Sequence, residues 1–273
     1  MSAGTEQEKR RTKRNYKVMI TLLNGETFLK EEIVGMAYDD SFYYKHLGQY
    51  ALSSSSLKTL LKSPKTYRNI LKYGDPNGDS PALAAGKLVH WMILEPHKVD
   101  KLHFVDASTK NTNLYKDAKA KYGEVFLTKE RSAAERLADA VLRNEAALKL
   151  LNKSEFEVPA VEMIEDLPFR GKADIIQGDT IIDLKTSQDL NSFRYSCDKY
   201  SYDLQAWLYL KLFKKNKFIF LVIDKASTDI GIFDVSDEFL ARGEQKFRQA
   251  VDNYKYFFQE ENDLDQYVMR GIL

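Results

Sequence analysis

Apolar residues recur at positions 134, 137, 138, 141, 148 and 151, with charged residues between them, so the stretch from Thr128 to about Leu151 predicts a long amphipathic helix. Upstream, residues 53–73 (SSSSLKTLLKSPKTYRNILKY) open on serines that can cap a helix and are interrupted by Pro64, which predicts two short helices meeting at a bend. Leu57, Leu60, Leu61, Ile70 and Leu71 would face the core. Asp75 to Pro81 is dense in turn residues, and Ser80-Pro81 starts a further helix through ALAAGKLVHWMILE that stops near Pro96. The pattern then changes. Residues 156–164 are rich in Val, Phe and Ile, and FRGKADIIQ (169–177) and TIIDLKT (180–186) flank Gly178-Asp179 as the arms of a β-hairpin. YDLQAWLYLKLFKK (202–215) returns to helical spacing, KFIFLVIDK (217–225) and TDIGIFDVS (228–236) read as two strands, and a last helix runs from near Ser236 to about Glu261. This order predicts a mixed α/β fold, a central mixed β-sheet flanked by helices with an α-helical N-terminal part.

The length of 273 residues and a 44% hydrophobic content support a substantial core. No apolar run approaches the roughly 18 residues of a membrane helix, and Met1 to Arg14 is polar and basic without a signal-peptide core, so the expected location is the cytoplasm. The single cysteine, Cys197, excludes an internal disulfide framework, a Cys-rich zinc site and an iron–sulfur cluster held by four thiolates. A net charge of +1 argues against binding nucleic acid through overall basicity, but the charge is unevenly placed. Residues 9–17 (KRRTKRNYK) hold six basic side chains, a solvated tail or an arm that tracks phosphates. Residues 53–73 carry Lys58, Lys62, Lys65, Arg68 and Lys72 with no acid, and these would project from the side opposite the leucines as a DNA-binding track.

Asp183 and Lys185 stand two apart in IIDLK, so both leave the same face of a strand among apolar neighbours. Such a pair is costly to bury unless a metal ion or a phosphate joins it. A hairpin turning at Gly178-Asp179 brings Asp174 close to opposite Asp183, within a slip of one or two residues. Two aspartates beside a lysine suit a magnesium site, because hard oxygens hold the ion and leave positions for water and phosphate. A plain salt-bridged hairpin, with Asp174 or Asp183 against Lys185 or Lys172, accounts for the same residues. Gly86-x-x-x-His90 puts an imidazole among Leu88, Val89, Trp91 and Met92, where a core histidine is the commoner occupant. Gln205-x-x-x-Tyr209 sets an amide and a phenol one helical turn apart, a common pattern by itself. Ordered as GxxxH, GxAD, IIDxKT and QxxxY, the set is specific.

In that order the motifs resemble the PD-(D/E)xK nuclease superfamily, and within it the RecE-type, exodeoxyribonuclease VIII-like exonucleases of phages and prophages. SSSSLKTLLKSPKTY, AAGKLVHWMILEP, GKADII, IIDLKTSQD and YDLQAWLYL carry the resemblance over roughly positions 50 to 215. It implies a Mg2+-dependent (or Mn2+-dependent) deoxyribonuclease that degrades linear duplex from 5′ to 3′ in recombination or DNA processing, beside a single-strand annealing protein, with homo-oligomeric rings in the family and no membrane partner. Residue by residue, it makes Asp174 and Asp183 the metal-binding acids, Lys185 the catalytic lysine, His90 the histidine of the helical motif, an outer metal ligand or the holder of a metal-bound water, and Gln205 and Tyr209 an accessory pair holding Lys185 or the DNA backbone. Lys172-Ala173 stand where relatives often carry arginine and proline. A further site acid is open among Glu155, Glu157 and Glu162. The nuclease domain would then span 46–273, with a helical part at 50–152, a catalytic core at 153–235 and a C-terminal helix at 236–262, preceded by a basic arm and extension at 1–45. Two competing readings are a non-catalytic DNA-end-binding protein that kept the fold and a structure-specific endonuclease of the same superfamily. The lone cysteine excludes a RecB-like relative with an iron–sulfur cluster.

Overall fold

The structure, a computed structural model, describes residues 18–268 except 77 and 79, so the basic arm at 9–17 lies outside the described residues. The chain enters through a small hairpin, β1 (Met19–Thr21) and β2 (Thr27–Leu29), followed by α1 (Lys30–Met36), a π-helical turn at Phe42–His46 and α2 (Leu47–Tyr50). The sequence pattern predicts no elements here. They close a small core of Ile20, Leu22, Ile33, Tyr43 and Leu47 against Val161. Next come α3 (Ser54–Lys62) and α4 (Pro64–Tyr73), bent at Pro64. A capping box starts α3: the Ser56 amide donates to Ser53 Oγ at 3.3 Å and the Ser53 amide to Ser56 Oγ at 2.6 Å. Leu71 is exposed instead of facing the core.

Ser80 caps α5 (Pro81–Leu94), and α6 (Pro96–Val99), β3 (His103–Val105), α7 (Asn113–Tyr122) and β4 (Val125–Leu127) follow. The single helix expected over 128–151 is two, α8 (Thr128–Arg143) and α9 (Glu145–Leu151). Asn144 between them is extended, and its side chain accepts the Ala147 amide at 3.0 Å, so it caps α9 where the periodicity runs through unbroken.

The remaining elements are β5 (Glu155–Ile164), β6 (Leu167–Gln177), β7 (Thr180–Ser187), α10 (Phe193–Lys199), α11 (Tyr202–Phe213), β8 (Lys217–Asp224), β9 (Ile230–Asp234) and α12 (Asp237–Tyr254). The five strands lie in the order β5-β6-β7-β8-β9, antiparallel except for the parallel pair β7 and β8, which α10 and α11 connect. The sheet is thus mixed and flanked by helices. In β8, Phe218, Phe220 and Val222 join the layer that holds α3, α11 and α12, whereas Ile219, Leu221 and Ile223 join the layer of α5 and α8. A central strand covered on both faces has no polar side to show, which is why KFIFLVID reads as one apolar run. Helices α11 and α12 approach so closely that a Cβ on Gly243 would stand 2.2 Å from the Asp203 carbonyl oxygen. Beside this contact the fully buried Asp203 accepts from Lys246 Nζ at 2.7 and 2.9 Å. Among the described residues no helix is long and apolar enough to cross a membrane.

Candidate metal centre and the adjoining lysine pair

Asp174 owes its position to two registers. Between β6 and β7 the pairs are Gln177 with Thr180, Ile176 with Ile181 and Ile175 with Ile182, so the next step places Asp174 opposite Asp183. Between β5 and β6, Phe156 pairs with Ile175 and Val158 with Ala173, which leaves Glu157 opposite Asp174. At this step the sheet is interrupted. Glu157 has a φ of 50°, in the left-handed region that a glutamate rarely adopts. Side-chain alternation breaks as well: Ala173 and Ile176 enter one layer and Ile175 the other. The Leu184 amide, the next donor along β7, donates to Asp174 Oδ2 at 2.8 Å, so the aspartate side chain fills the gap between the strands.

Helix α5 brings His90 to the same point. Its Nε2 lies 2.7 Å from the carbonyl oxygen of Leu184. A carbonyl only accepts, so Nε2 carries the proton, and Nδ1 faces Asp174 Oδ2 at 3.6 Å. Ligand atoms of His90, Glu157 and Asp174 all lie within 4.8 Å of one another. Burial raises the pKa of Asp174, and Asp183 adds to the rise against the opposing effects of His90 and Lys185. Burial first, then the Asp174 and Glu95 carboxylates, push Glu157 up to about 8. Two carboxylates thus crowd each other beside an imidazole nitrogen in a buried setting. The donor set fits a divalent cation: two carboxylate oxygens and one imidazole nitrogen are all metal-ligating groups, and the Leu184 carbonyl orients the histidine from behind.

Asp183 lies on the other side of the break, 2% exposed, in an ion pair with Lys185. Gln205, from α11, donates Nε2–H to Asp183 Oδ1 at 2.7 Å. Burial disfavours the charge on Lys185, but Asp183 and Asp174 outweigh it and hold its pKa above the ordinary lysine value, so it stays an ammonium. Tyr209, one turn along α11, donates its hydroxyl to the Lys172 carbonyl at 3.2 Å and so braces β6 two residues before Asp174. Lys172 pairs with Asp40 at 2.7 Å.

The five basic residues of the expected DNA track part company. Lys62, Arg68 and Lys72 are exposed, and Lys65 is partly covered and paired with Asp265 at 2.8 Å. Lys58 does not project outward: partly buried, it turns to α11 and donates to Gln205 Oε1 at 3.2 Å. The helical arc holding Leu57 and Leu61 also holds Lys58, and an ammonium can be buried there because Gln205 accepts from it. Of the three open glutamates, Glu155 is exposed and Glu162 pairs with Lys30 and Lys214, while Glu157 joins His90 and Asp174. A signal for Glu157 existed. The turn between β5 and β6 is Glu165-Asp166, and counting outward from it pairs 157 with 174. Both turn residues have positive φ, 50° and 65°, the conformation of a tight hairpin, but without the glycine or asparagine that would mark it.

No curated protein is significantly similar in sequence. The structure of a candidate exonuclease from Eubacterium rectale superposes with a TM-score of 0.64 at 15% identity, over 86% of this chain and 95% of that one, a likeness of fold. That of a phage-related exonuclease from Haemophilus somnus 129PT reaches a TM-score of only 0.33 at 16% identity, over 80% of this chain and 99% of that one. Residues 53–266, from the capping serine of α3 to the turn beyond α12, match the family described as a PDDEXK-like domain of unknown function (DUF3799), and the chain belongs to that family.

Proposed function

We propose that the chain is a divalent-metal-dependent DNA exonuclease of RecE type, hydrolysing phosphodiester bonds of linear duplex from 5′ to 3′ in phage-type recombination or DNA processing in the cytoplasm. The observation that carries the reading is the juxtaposition of the His90, Glu157 and Asp174 donors with the buried Asp183–Lys185 pair, across one break in the sheet. A divalent ion held by His90, Glu157 and Asp174, with Asp183 beside it, would polarise a phosphate oxygen and lower the pKa of a water. Lys185, kept protonated by its carboxylate neighbours, supplies an N–H donor and positive charge to the phosphate as negative charge builds on it, and orients the attacking water instead of deprotonating it. Gln205 holds the Asp183 carboxylate, and Tyr209 holds the strand that carries Asp174. Linear duplex is the substrate. A single-strand annealing protein is the partner, and assembly into a ring would keep DNA in place between cuts.

The test is release of acid-soluble nucleotides from 5′- and 3′-labelled linear duplex and from a closed circle, with magnesium, manganese, calcium or a chelator. Early loss of the 5′ label with magnesium, and an intact circle, is expected. Cutting of the circle would replace this reading with an endonuclease, and no release with any metal would leave a DNA-end-binding protein.

A further inference from the structure

Lys58 is an unusual neighbour for a nuclease lysine. It lies in the first turns of α3, and its ammonium reaches the far side of Gln205 from Asp183. The three groups form a line: Lys58 Nζ donates to Gln205 Oε1 at 3.2 Å, and Gln205 Nε2 donates to Asp183 Oδ1 at 2.7 Å. The ring of Tyr202 flanks this line and serves both lysines, with Lys58 Nζ 5.2 Å and Lys185 Nζ 5.1 Å from its centroid.

The two ends of a glutamine amide have nearly the same shape, so its partners decide which end points where. An ammonium only donates. Lys58 therefore claims the oxygen end, and the NH2 end is left for Asp183. A reversed amide would set a carbonyl oxygen against the buried Asp183 carboxylate, which would lose the N–H that holds its Oδ1. Holding Lys58 in place has a cost: burial first, and the Lys185 charge second, push it down to about 7, against the opposing pull of Asp183 and Asp203. The Asp203 carboxylate is already taken by Lys246. Lys58 therefore keeps its place through the Gln205 oxygen and the Tyr202 ring.

We infer that Lys58 is a positioning residue: it fixes the orientation of the Gln205 amide and, through it, the Asp183 carboxylate that faces Lys185. Its consequence for catalysis rests on the nuclease reading, whereas the orientation of the amide does not.

The test uses the full chain with Lys58→Met, Lys58→Arg, Gln205→Met and the Lys58→Met/Gln205→Met double variant. On linear duplex, Lys58→Met is expected to lower kcat about 10- to 100-fold, as loss of a supporting hydrogen-bond partner does, with KM unchanged. Lys58→Arg, which keeps the donors, should recover most of it. The double variant should be no worse than Gln205→Met, because both substitutions cut one line. A raised KM with kcat kept, or losses that multiply in the double variant, would overturn the inference and make Lys58 a phosphate contact. A second readout needs no cleavage. In protein labelled with 15N-glutamine, the Gln205 side-chain signal, identified by its disappearance in Gln205→Met, should move in Lys58→Met and stay in Lys58→Arg. If it stays in both, the inference fails whatever the enzyme does. If the wild type cleaves nothing, the nuclease reading fails and this signal alone decides. Should Lys58→Met not fold, Lys58→Ala, which also removes the donor, carries the same test.

Discussion

His90 and Asp174 are tied to one residue: the imidazole Nε2–H donates to the Leu184 carbonyl at 2.7 Å, and the Leu184 amide donates to Asp174 Oδ2 at 2.8 Å. A single peptide segment of β7 thus orients both side chains, and His90 Nδ1 is left 3.6 Å from a carboxylate oxygen. With Glu157, whose ligand atom lies within 4.8 Å of theirs, the two side chains offer a divalent cation three donors. Manganese titrated into the chelator-treated protein in a calorimeter should bind, and His90→Ala or Asp174→Asn should weaken it by more than about tenfold. Glu157→Gln should do the same, while Glu155→Gln and Glu162→Gln should not. Binding undiminished by all three site substitutions would place the ion elsewhere.

The crowded carboxylates make the metal-free protein sensitive to pH. In the folded chain Glu157 holds its proton up to about 8, whereas an unfolded glutamate releases it near 4.5. Between those values the unfolded state binds fewer protons, so stability falls as pH rises from about 5 to 8, at no more than about 1.4 kcal/mol per pH unit for one proton. The raised Asp174 acts in the same direction. Urea unfolding in chelator at pH 5.5, 7 and 8.5 should follow this slope, Glu157→Gln should flatten it, and manganese should stabilise most at the highest pH. A slope that survives Glu157→Gln unchanged would assign it to other groups.

Asp183 and Lys185 form a buried pair, and removing either partner leaves a charge without its counter-charge. Lys185→Ala and Asp183→Ala should each lose metal-dependent DNA degradation and cost about 3–5 kcal/mol in urea unfolding. The Asp183→Leu/Lys185→Met double variant should recover much of the stability and none of the activity. Recovery of activity in the double variant would refute a role in the chemistry.

The hairpin that carries these residues is legible in the sequence because its turn is marked. Gly178, with a φ of 56°, sits between two alternating runs, and the register of 174 against 183 comes from counting. The Glu165-Asp166 turn lacks that mark, so only the pairing of the strands singles out one of three glutamates as the partner of Asp174 on β5. Lys58 escapes the pattern for another reason. A lysine on an amphipathic helix is solvated in most contexts, and only the amide brought from α11, about 150 residues later, makes the inner face habitable for a charge. The split of α8 and α9 turns on one asparagine that caps instead of continuing the helix. That cap is local chemistry which hydrophobic periodicity passes over, whereas the glutamate and the lysine are decided by a backbone conformation without its usual residue and by a group that another element supplies.

With Lys58 turned inward, the outer face of α3 and α4 still presents Lys62 and Arg68 to solvent. If they track phosphates, Lys62→Ala with Arg68→Ala should weaken duplex binding and lower the slope of log affinity against log salt by about 2, one unit for each lost contact. Binding measured in calcium, to suppress cleavage, gives both quantities. An unchanged slope would make the pair simply solvated.

Gly243 controls how closely α12 can approach α11, the helix that delivers Gln205 and Tyr209. A Cβ there would meet the Asp203 carbonyl oxygen at 2.2 Å and its carbon at 2.6 Å, both backbone atoms that no rotamer can move aside. Gly243→Ala must therefore push the helices apart, against the buried Asp203–Lys246 bond and the packing of Phe247 on Trp207, whose ring centroids are 4.6 Å apart. The helical preference of alanine offsets under about 1 kcal/mol of this. The expected result is a net destabilisation of about 1–3 kcal/mol in urea unfolding. Because displacement of α11 moves Gln205 relative to Asp183, activity should fall further than the unfolded fraction explains, and chiefly in kcat. Full activity together with a raised melting temperature would show that the two helices have room that this geometry denies them.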